Sequence, residues 1–296
     1  MSPTRFTGRP SAAWAAPGIL FFCFFAVLPM ALVVYLSFTT WNGLGNPSWV
    51  GADNWSRLLS DPDIRQAILL SVLLTAVTWL FQTPICMLIG VWAAGRQRNR
   101  ALLSAVFFLP LLLSSVAIAL LWKALLDPNF GVIADLGPWL GLEDGNLIGT
   151  SRGAFACVAF VISWQFIPFH TLLYQAGARQ VPKSLYDAAS IDGAGRYRRF
   201  WTITLPQLRN TAITSSVLMV VGSLTFFDTV LILTGGGPGK DTSILPFLMY
   251  QKGFVAFEMG YASSIAVALV VVATAVSLLL VKLTGFGEMR STREGM

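Results

Sequence analysis

A glycine-rich stretch, LTGGGPGKDTS from Leu233 to Ser243, has the residue types of a phosphate-binding loop. Such a loop reads G-x-x-x-x-G-K-[ST], because its backbone amides and its lysine cradle phosphate oxygens. Counted back from Gly239 and Lys240, the first glycine position holds Thr234, and Asp241 follows the lysine. The spacing argues against nucleotide binding and predicts a tight turn at the end of a helix.

Other residues that could do chemistry are scattered. His170 is the only histidine, and the three cysteines Cys23, Cys86 and Cys157 each lie inside an apolar run with no partner at metal-ligand spacing. A zinc site needs several such ligands together, and a nucleophile needs a base beside it. We therefore predict no metal site and no catalytic residues, so the chain is not expected to be an enzyme.

The composition points to lipid as the solvent for most of the chain. Apolar residues make up 55% of the 296 residues and charged residues only 11%, whereas soluble domains carry roughly 25% charged residues. So few charges cannot cover a water-facing surface of this size. The net charge of +6 could suggest nucleic acid, but its distribution favours membrane orientation, and no nucleic-acid partner is predicted.

Six apolar runs are long enough to cross a bilayer, because a helix needs about 20 apolar residues to span a hydrocarbon core of roughly 30 Å. Lipid satisfies no backbone hydrogen bonds, so these runs are expected to be helices. They lie at residues 15–38, 68–93, 101–122, 154–174, 213–233 and 262–283. The predicted fold is an all-α polytopic membrane protein, with one transmembrane domain over residues 1–296.

The basic residues are unevenly divided between the two sides of this arrangement. If both termini share one side, that side holds 14 of the 20 lysines and arginines. The positive-inside rule then places both termini and loops 95–100 and 175–210 in the cytoplasm. Loops 39–67, 123–153 and 234–261 face outward, so the glycine-rich stretch lies where ATP is not available.

The long cytoplasmic loop is the most informative segment, because unstructured loops of more than about 12–15 residues are usually functional or disordered. Ser184 and Asp187 form a weak capping box, and glycines at 193 and 195 break the short helix expected after it. A second segment, RYRRFWT, mixes arginines with aromatic residues. The residues alone predict two short helices at a glycine turn, which contact either a partner protein or lipid headgroups.

The loop resembles the EAA loop of bacterial ABC importer permeases. The residues in register with that pattern are Asp187, Ala188, Ala189, Gly193, Ile203, Leu205 and Pro206. Asp187 stands where the family usually has glutamate, so its carboxylate reaches one methylene less far. Two further stretches, Ser223 to Val267 and Trp49 to Ile68, are similar to sugar permeases of the maltose and glycerol-phosphate type.

This resemblance implies a permease subunit in a bacterial inner membrane that works with several other chains. It implies a second, similar permease subunit, two ATPase subunits that use ATP and Mg, and an extracytoplasmic solute-binding protein that delivers a sugar. The chain itself is expected to bind no cofactor, and residues 182–207 dock as a coupling helix on the ATPase. The residues expected to couple are Asp187, Ala188, Ala189, Asp192, Gly193, Arg196, Arg199, Phe200, Ile203, Leu205 and Pro206.

The solute path is expected where polar side chains enter the spans. Asp228 is the only acid inside a predicted span, and Phe226 and Phe227 precede it. Trp164 and Gln165 in the fourth span offer an aromatic face and an amide, which suit a sugar ring. Packing or structural pairing is the alternative role for these residues. His170 is expected at the cytoplasmic membrane interface.

Other transporter classes stay open as alternatives. An ABC permease for amino acids, peptides, phosphate or a glycerol phosphodiester would share most of these features. An ion-coupled secondary transporter should show internal repeats and several ionisable groups inside its spans. The sequence shows no clear repeat and one acid in a span.

Overall fold

A computed structural model describes residues 12–95, 100–141, 145–223 and 225–284. These residues are mostly helical, with one pair of two-residue strands. The helices and strands are α1 (Ala16–Phe22), α2 (Leu28–Leu36), β1 (Thr39–Thr40), β2 (Ser48–Trp49), α3 (Asp53–Ser60), α4 (Pro62–Ala94), α5 (Arg100–Leu112), α6 (Ser115–Leu125), α7 (Val132–Leu136), α8 (Ser151–Gln180), α9 (Lys183–Ile191), α10 (Arg196–Arg199), α11 (Leu205–Gln207), α12 (Arg209–Ser223), α13 (Asp228–Leu233), α14 (Leu245–Tyr250) and α15 (Met259–Thr284). Wider π-helical turns occupy Cys23–Val27, Phe200–Thr204 and Gln251–Val255, and 3₁₀ turns occupy Ala12–Ala15 and Pro138–Leu140.

The described residues fall into two compact units. The first unit contains residues 12–60 and 249–268, and the second contains residues 61–248 and 269–284. The single transmembrane domain expected over residues 1–296 stays a prediction.

In the first unit a short hairpin follows α2. The strands β1 and β2 pair antiparallel, with Thr39 opposite Trp49. The Asn54 side-chain amide, on α3, donates hydrogen bonds to the carbonyl oxygens of Ser37 (3.0 Å) and Thr39 (2.8 Å). These bonds satisfy backbone acceptors that the short strands leave open, so α3 is tied to the end of α2.

The second unit is built around the long helices α4 and α8. Their main apolar cluster includes Leu74, Val158, Val161 and Ile162, which are almost fully buried. Polar side chains also join the helices: Gln82 Nε2 donates to Ser163 Oγ at 3.3 Å. Such bonds between membrane helices contribute about 0.6 kcal/mol on average.

A glycine allows α4 and α8 to approach closely. A Cβ atom placed on Gly90 would lie 2.6 Å from the Tyr174 Cβ atom and 2.9 Å from the Thr171 carbonyl oxygen. Backbone and Cβ atoms cannot move aside as a flexible side-chain end can. Small residues at such crossings are typical of helix packing in membranes, where close contact replaces the hydrophobic effect.

Four described helical segments are long and apolar enough to cross a membrane. They are Ala16–Leu36, Pro62–Ala94, Ser151–Gln180 and Met259–Leu279. They correspond to the first, second, fourth and sixth predicted spans. The second and fourth extend beyond their predicted ends, because polar residues such as Arg65 and Gln180 continue the helices past the apolar runs.

The prediction that residues 101–122 form one continuous helix is wrong. The segments Val106–Leu112 and Ser115–Leu125 meet at an angle of 112°. Ser114 has extended backbone angles, and its side chain accepts a hydrogen bond from the Ala117 amide at 3.2 Å. A serine cap starts a new helix here, and the apolar composition of the run conceals that signal.

The prediction of one continuous helix over residues 213–233 is also wrong. Helix α12 ends at Ser223 and α13 begins at Asp228. Thr225 closes a turn onto the Gly222 carbonyl through its amide (3.0 Å) and its hydroxyl (2.8 Å). Asp228 therefore lies at the start of a short helix instead of inside a long one.

We predict that Gly90→Ala lowers the thermal denaturation midpoint of the purified protein by a few degrees. The added methyl group overpacks the α4–α8 contact, which typically costs about 1–3 kcal/mol. Gly222→Ala is the matched control, because its Cβ would find only the Phe226 ring tip at 3.9 Å. Tryptophan fluorescence during heating measures both. Equal midpoints for the two variants would contradict the close crossing.

Candidate functional site

The loop after α8 folds as two short helical segments joined by a glycine turn, as predicted. Helix α9 ends at Ile191, and Gly193 has a positive φ of +72°. Helix α10 follows and continues into the π-helical turn Phe200–Thr204 and α11. A residue with a side chain is strained at such a φ, so the turn itself requires glycine.

The predicted capping box of Ser184 and Asp187 does not form. Helix α9 starts at Lys183, its N-cap is Pro182, and no side chain caps it. The helix begins two residues too early for Ser184 to act as its N-cap. Proline sets the chain direction at this point by fixing its own φ at −58°.

Three hydrogen bonds organise α9 and tie it to the second segment. The hydroxyls of Tyr186 and Thr204 are 2.9 Å apart, and Arg199 Nη1 donates to Ser190 Oγ at 2.9 Å. Ser190 Oγ in turn donates to the Tyr186 carbonyl at 2.7 Å. We call this network the loop brace. Sequence reasoning missed Tyr186 and Ser190, because nothing in their spacing indicates a contact with residues 9 to 18 positions later.

The remaining predicted coupling residues divide by exposure. Asp187, Ala188, Asp192, Gly193, Arg196 and Pro206 are exposed, whereas Ala189, Arg199, Phe200, Ile203 and Leu205 are half-buried. The exposed surface of α9 also carries Ile191, whose side chain is 88% exposed. A large apolar residue this exposed marks a surface that another protein or lipid can cover. Ile191 was not among the predicted residues, although it directly precedes the glycine turn.

The predicted solute-path residues lie around the main core of the second unit. Trp164 packs edge-on against Trp122 with ring centroids 5.5 Å apart, and Phe226 packs on Phe166 at 5.2 Å. Phe227 also contacts this core. Asp228 is exposed at the first turn of α13. No direct contact between Asp228 and the fourth-span residues is present among the described hydrogen bonds and ion pairs.

Two buried amides stand out beside this core. Gln165 is 4% exposed and donates to Ser115 Oγ at 3.1 Å, while its Oε1 atom has no partner among the residues that the structure describes. Gln82 is 3% exposed, and its Oε1 atom is likewise without a partner within the described part of the chain. A buried acceptor without a partner is costly, typically by about 1–3 kcal/mol. Such atoms are suited to receive hydroxyl donors from water or solute.

His170 is buried in the helix packing, and its expected position at the membrane interface stays a prediction. The side chain is 4% exposed, and its Nδ1 atom is 3.0 Å from the Ser215 hydroxyl on α12. Helix α8 continues for about two turns beyond the predicted end of the fourth span at Tyr174, to Gln180, so His170 lies well inside this helix.

The glycine-rich stretch forms the predicted turn after a helix. Helix α13 ends at Leu233, and Gly235, Gly236 and Gly239 have positive φ angles of 59°, 84° and 60°. The Lys240 ammonium lies 2.7 Å from both carboxylate oxygens of Asp63. The lysine is therefore paired within the chain, as a structural loop requires.

Comparison with known proteins identifies the class. Residues 86–284 match the family described as binding-protein-dependent transport system inner membrane component. The match includes α8, the loop from α9 to α11 and the helices that follow. The chain belongs to this family, and it is a multi-pass membrane protein of the ABC importer permease class.

Several named permeases are similar over most of their length. The multiple sugar-binding transport system permease protein MsmF of Streptococcus mutans is 31% identical over 269 residues, covering 90% of each chain. The sn-glycerol-3-phosphate transport system permease protein UgpA of Brucella abortus is 32% identical over 272 residues, covering 88% of this chain and 90% of that protein. The diacetylchitobiose uptake system permease protein NgcF of Streptomyces coelicolor is 29% identical, covering 92% and 82%.

The fold also matches a solved structure. A chain from a bacterial ABC transporter involved in the import of the acidic polysaccharide alginate superposes with a TM-score of 0.80 at 23% identity. The superposition covers 92% of this chain and 93% of that one. At this identity the likeness establishes the fold.

We predict that Tyr186→Phe loosens α9 without unfolding the protein. The variant loses the hydroxyl contact to Thr204, a net loss of about 0.5–1.5 kcal/mol. Because local opening becomes easier by that free energy, the α9 amides should exchange with deuterium roughly 2- to 10-fold faster. Tyr197→Phe is the control, because Tyr197 is 78% exposed. Unchanged α9 exchange in Tyr186→Phe would contradict the loop brace.

Proposed function

We propose that this chain forms half of the translocation path of an ABC importer for a sugar or a related compound, and that the loop from α9 to α11 couples it to a separate ATPase. The observation that carries the proposal is the family match over residues 86–284, which includes this loop. The two braced helical segments with an exposed outer surface support the coupling role.

The sugar class is supported by the relatives' names. Multiple sugars and diacetylchitobiose appear in the names of permeases that align over most of this chain. A second candidate, glycerol-3-phosphate, is favoured by the UgpA relative at 32% identity. Sugars and glycerol phosphates both carry hydroxyl groups, which can donate hydrogen bonds to the buried amides near Trp164. The phosphate group would also need a positively charged partner.

A six-crossing topology with both termini in the cytoplasm accounts for the described helices. In this proposal α5 and α6 together make the third crossing, and α12 and α13 together make the fifth. Helix α12 has 15 residues, about 22 Å at 1.5 Å per residue, and does not reach across the roughly 30 Å core alone. The description of the family as an inner membrane component supports the inner-membrane location.

The coupling residues take two roles in this proposal. The exposed residues of α9 and its turn, with Asp187, Ala188, Asp192 and Gly193 among them, contact the ATPase. Arg199, Phe200, Ile203 and Leu205 hold α9 against the second segment of the loop, as the Arg199–Ser190 bond illustrates. Motion of the ATPase then moves the loop as a unit, which suits a rigid-body switch.

The remaining partners are a second, similar permease, two ATPase subunits that use ATP and Mg, and an extracytoplasmic solute-binding protein. Support for a permease pair comes from the segment Ala16–Leu36, which has a mean hydropathy of 2.7 and no buried residues in its window. Such a surface needs either lipid or another apolar helix. This chain binds no nucleotide in the proposal.

The solute is identified through the assembled importer. Co-purification of the complex, followed by a calorimetric binding screen on its solute-binding protein, should give tight binding of a mono-, di- or oligosaccharide. Tight binding of glycerol-3-phosphate or a glycerol phosphodiester, with no sugar bound, would move the assignment to the second candidate. Transport without any ATPase would contradict the importer class.

Gly193→Asp should abolish solute uptake while the permease still inserts and assembles in the membrane. The carboxylate adds bulk and charge on the surface proposed to contact the ATPase. The control is Gly195→Asp, because Gly195 has a φ of −68° and open space for a side chain. Uptake of labelled solute in vesicles measures the effect. Normal uptake by Gly193→Asp would count strongly against the coupling role.

Asp228→Asn tests the solute path. If the carboxylate contacts the solute, uptake should fall roughly 10-fold or more, as expected for loss of a charged hydrogen bond worth about 1.5–3 kcal/mol. Binding of the ATPase subunits should not change. Asp135→Asn, on α7, controls for removal of an acid elsewhere. An uptake rate equal to that of the unmodified importer would leave Asp228 with a packing role only.

A further inference from the structure

A cavity of about 510 Å³ lies where the ends of two membrane helices meet the loop. Val91 and Ala94 at the end of α4 and Ala178 near the end of α8 form an apolar wall. Arg196 and Arg199 line the same cavity from α10. The cavity therefore combines apolar surface with two guanidinium groups, and we call it the basal cavity.

The two arginines have donors available for a ligand. The Arg199 guanidinium donates one hydrogen bond within the described residues, to the neutral Ser190 hydroxyl, whereas a guanidinium carries five N–H groups. The Arg196 side chain takes part in none of the side-chain hydrogen bonds seen for the described residues, and neither arginine belongs to the ion pairs Arg57–Glu258 and Lys240–Asp63. Paired guanidinium groups without carboxylates favour a phosphate ligand, which accepts their bonds in a forked geometry.

Exposed aromatic residues are next in sequence to residues that line the basal cavity. Trp92 is 61% exposed beside Val91 on α4, and Tyr197 and Trp201 are 78% and 49% exposed on the loop. The Tyr197 and Trp201 rings lie 6.0 Å apart. Tryptophan and tyrosine collect at the headgroup level of membranes, where an apolar ring and a polar edge are both satisfied. This pattern favours a position of the cavity at the depth of lipid phosphates.

We propose that the basal cavity binds the phosphate headgroup of an anionic phospholipid, such as phosphatidylglycerol or cardiolipin. Arg196 and Arg199 contact the phosphate, and Val91, Ala94 and Ala178 contact the glycerol end of the acyl chains. Basic pockets between membrane helices on the cytoplasmic side are suited to such headgroups. The proposal goes beyond the import function, since it requires only that these helix ends lie at a membrane surface.

The test uses the assembled importer in a neutral detergent, titrated with phosphatidylglycerol, with bound lipid counted by native mass spectrometry. Each arginine near an anionic lipid contributes about 1 kcal/mol, so Arg196→Gln should weaken the tightest site about fivefold. The double variant Arg196→Gln with Arg199→Gln should weaken it further. Arg198→Gln is the matched control, because it removes the same charge from the same helix but does not line the cavity.

Expected results are a tight lipid site in the unmodified importer and in Arg198→Gln, a weakened site in Arg196→Gln, and weaker binding of phosphatidylcholine throughout. An equal loss of lipid affinity in Arg196→Gln and Arg198→Gln would indicate diffuse attraction of lipid to the basic surface and would overturn the proposal. Displacement of the lipid by excess inorganic phosphate would identify a free-anion site and also overturn it. If the unmodified importer takes up sugar but binds no lipid, only this inference is overturned. If Arg198→Gln fails to take up sugar, that result concerns the coupling role.

Discussion

The absence of hydrogen-bond partners in lipid governs this structure more than any single contact. Every backbone amide and carbonyl in the hydrocarbon region must be satisfied within the chain, so the apolar runs become helices. Where a helix breaks, a side chain takes over. Ser114 accepts from the Ala117 amide at one break, and the Thr225 hydroxyl donates to the Gly222 carbonyl at the other. Each break is therefore placed where a short hydroxyl residue can replace the missing helical bond.

The same constraint explains how α4, α8 and α12 hold together. Apolar side chains gain little by leaving lipid for one another, so close packing and polar contacts must do more. Gly90 lets the α4 and α8 backbones approach, and hydroxyl residues on α12 bond to both neighbours. Trp79 Nε1 donates to Ser216 Oγ at 2.9 Å, and His170 lies 3.0 Å from Ser215 Oγ. These bonds fix the rotation of α12 as well as its distance.

The positions of the long helices were predictable from the sequence, whereas the breaks within the predicted spans were not. Apolar runs predicted α4, α8 and α15, and the glycines at 193 and 195 predicted the turn in the loop, where Gly193 has a positive φ. The break at Ser114 escaped detection because one serine barely lowers the hydropathy of the run around it. The Tyr186–Thr204 contact and the burial of His170 depend on tertiary packing, which the periodicity of a single helix does not report.

A mechanical consequence follows from the order of elements after the loop. Helix α12 leaves the loop directly, and its hydroxyl residues are bonded to α4 and α8. If the braced loop is displaced, α12 cannot slide past α4 and α8 without breaking several of these bonds. The turn at Thr225 is the first point after α12 where the chain direction can change without breaking these bonds. Movement transmitted along α12 would therefore change the direction of α13, which begins at Asp228. In the proposed coupling scheme, the break that divides the predicted fifth span is the point where movement of the loop can become a rearrangement of α13 near the proposed solute path.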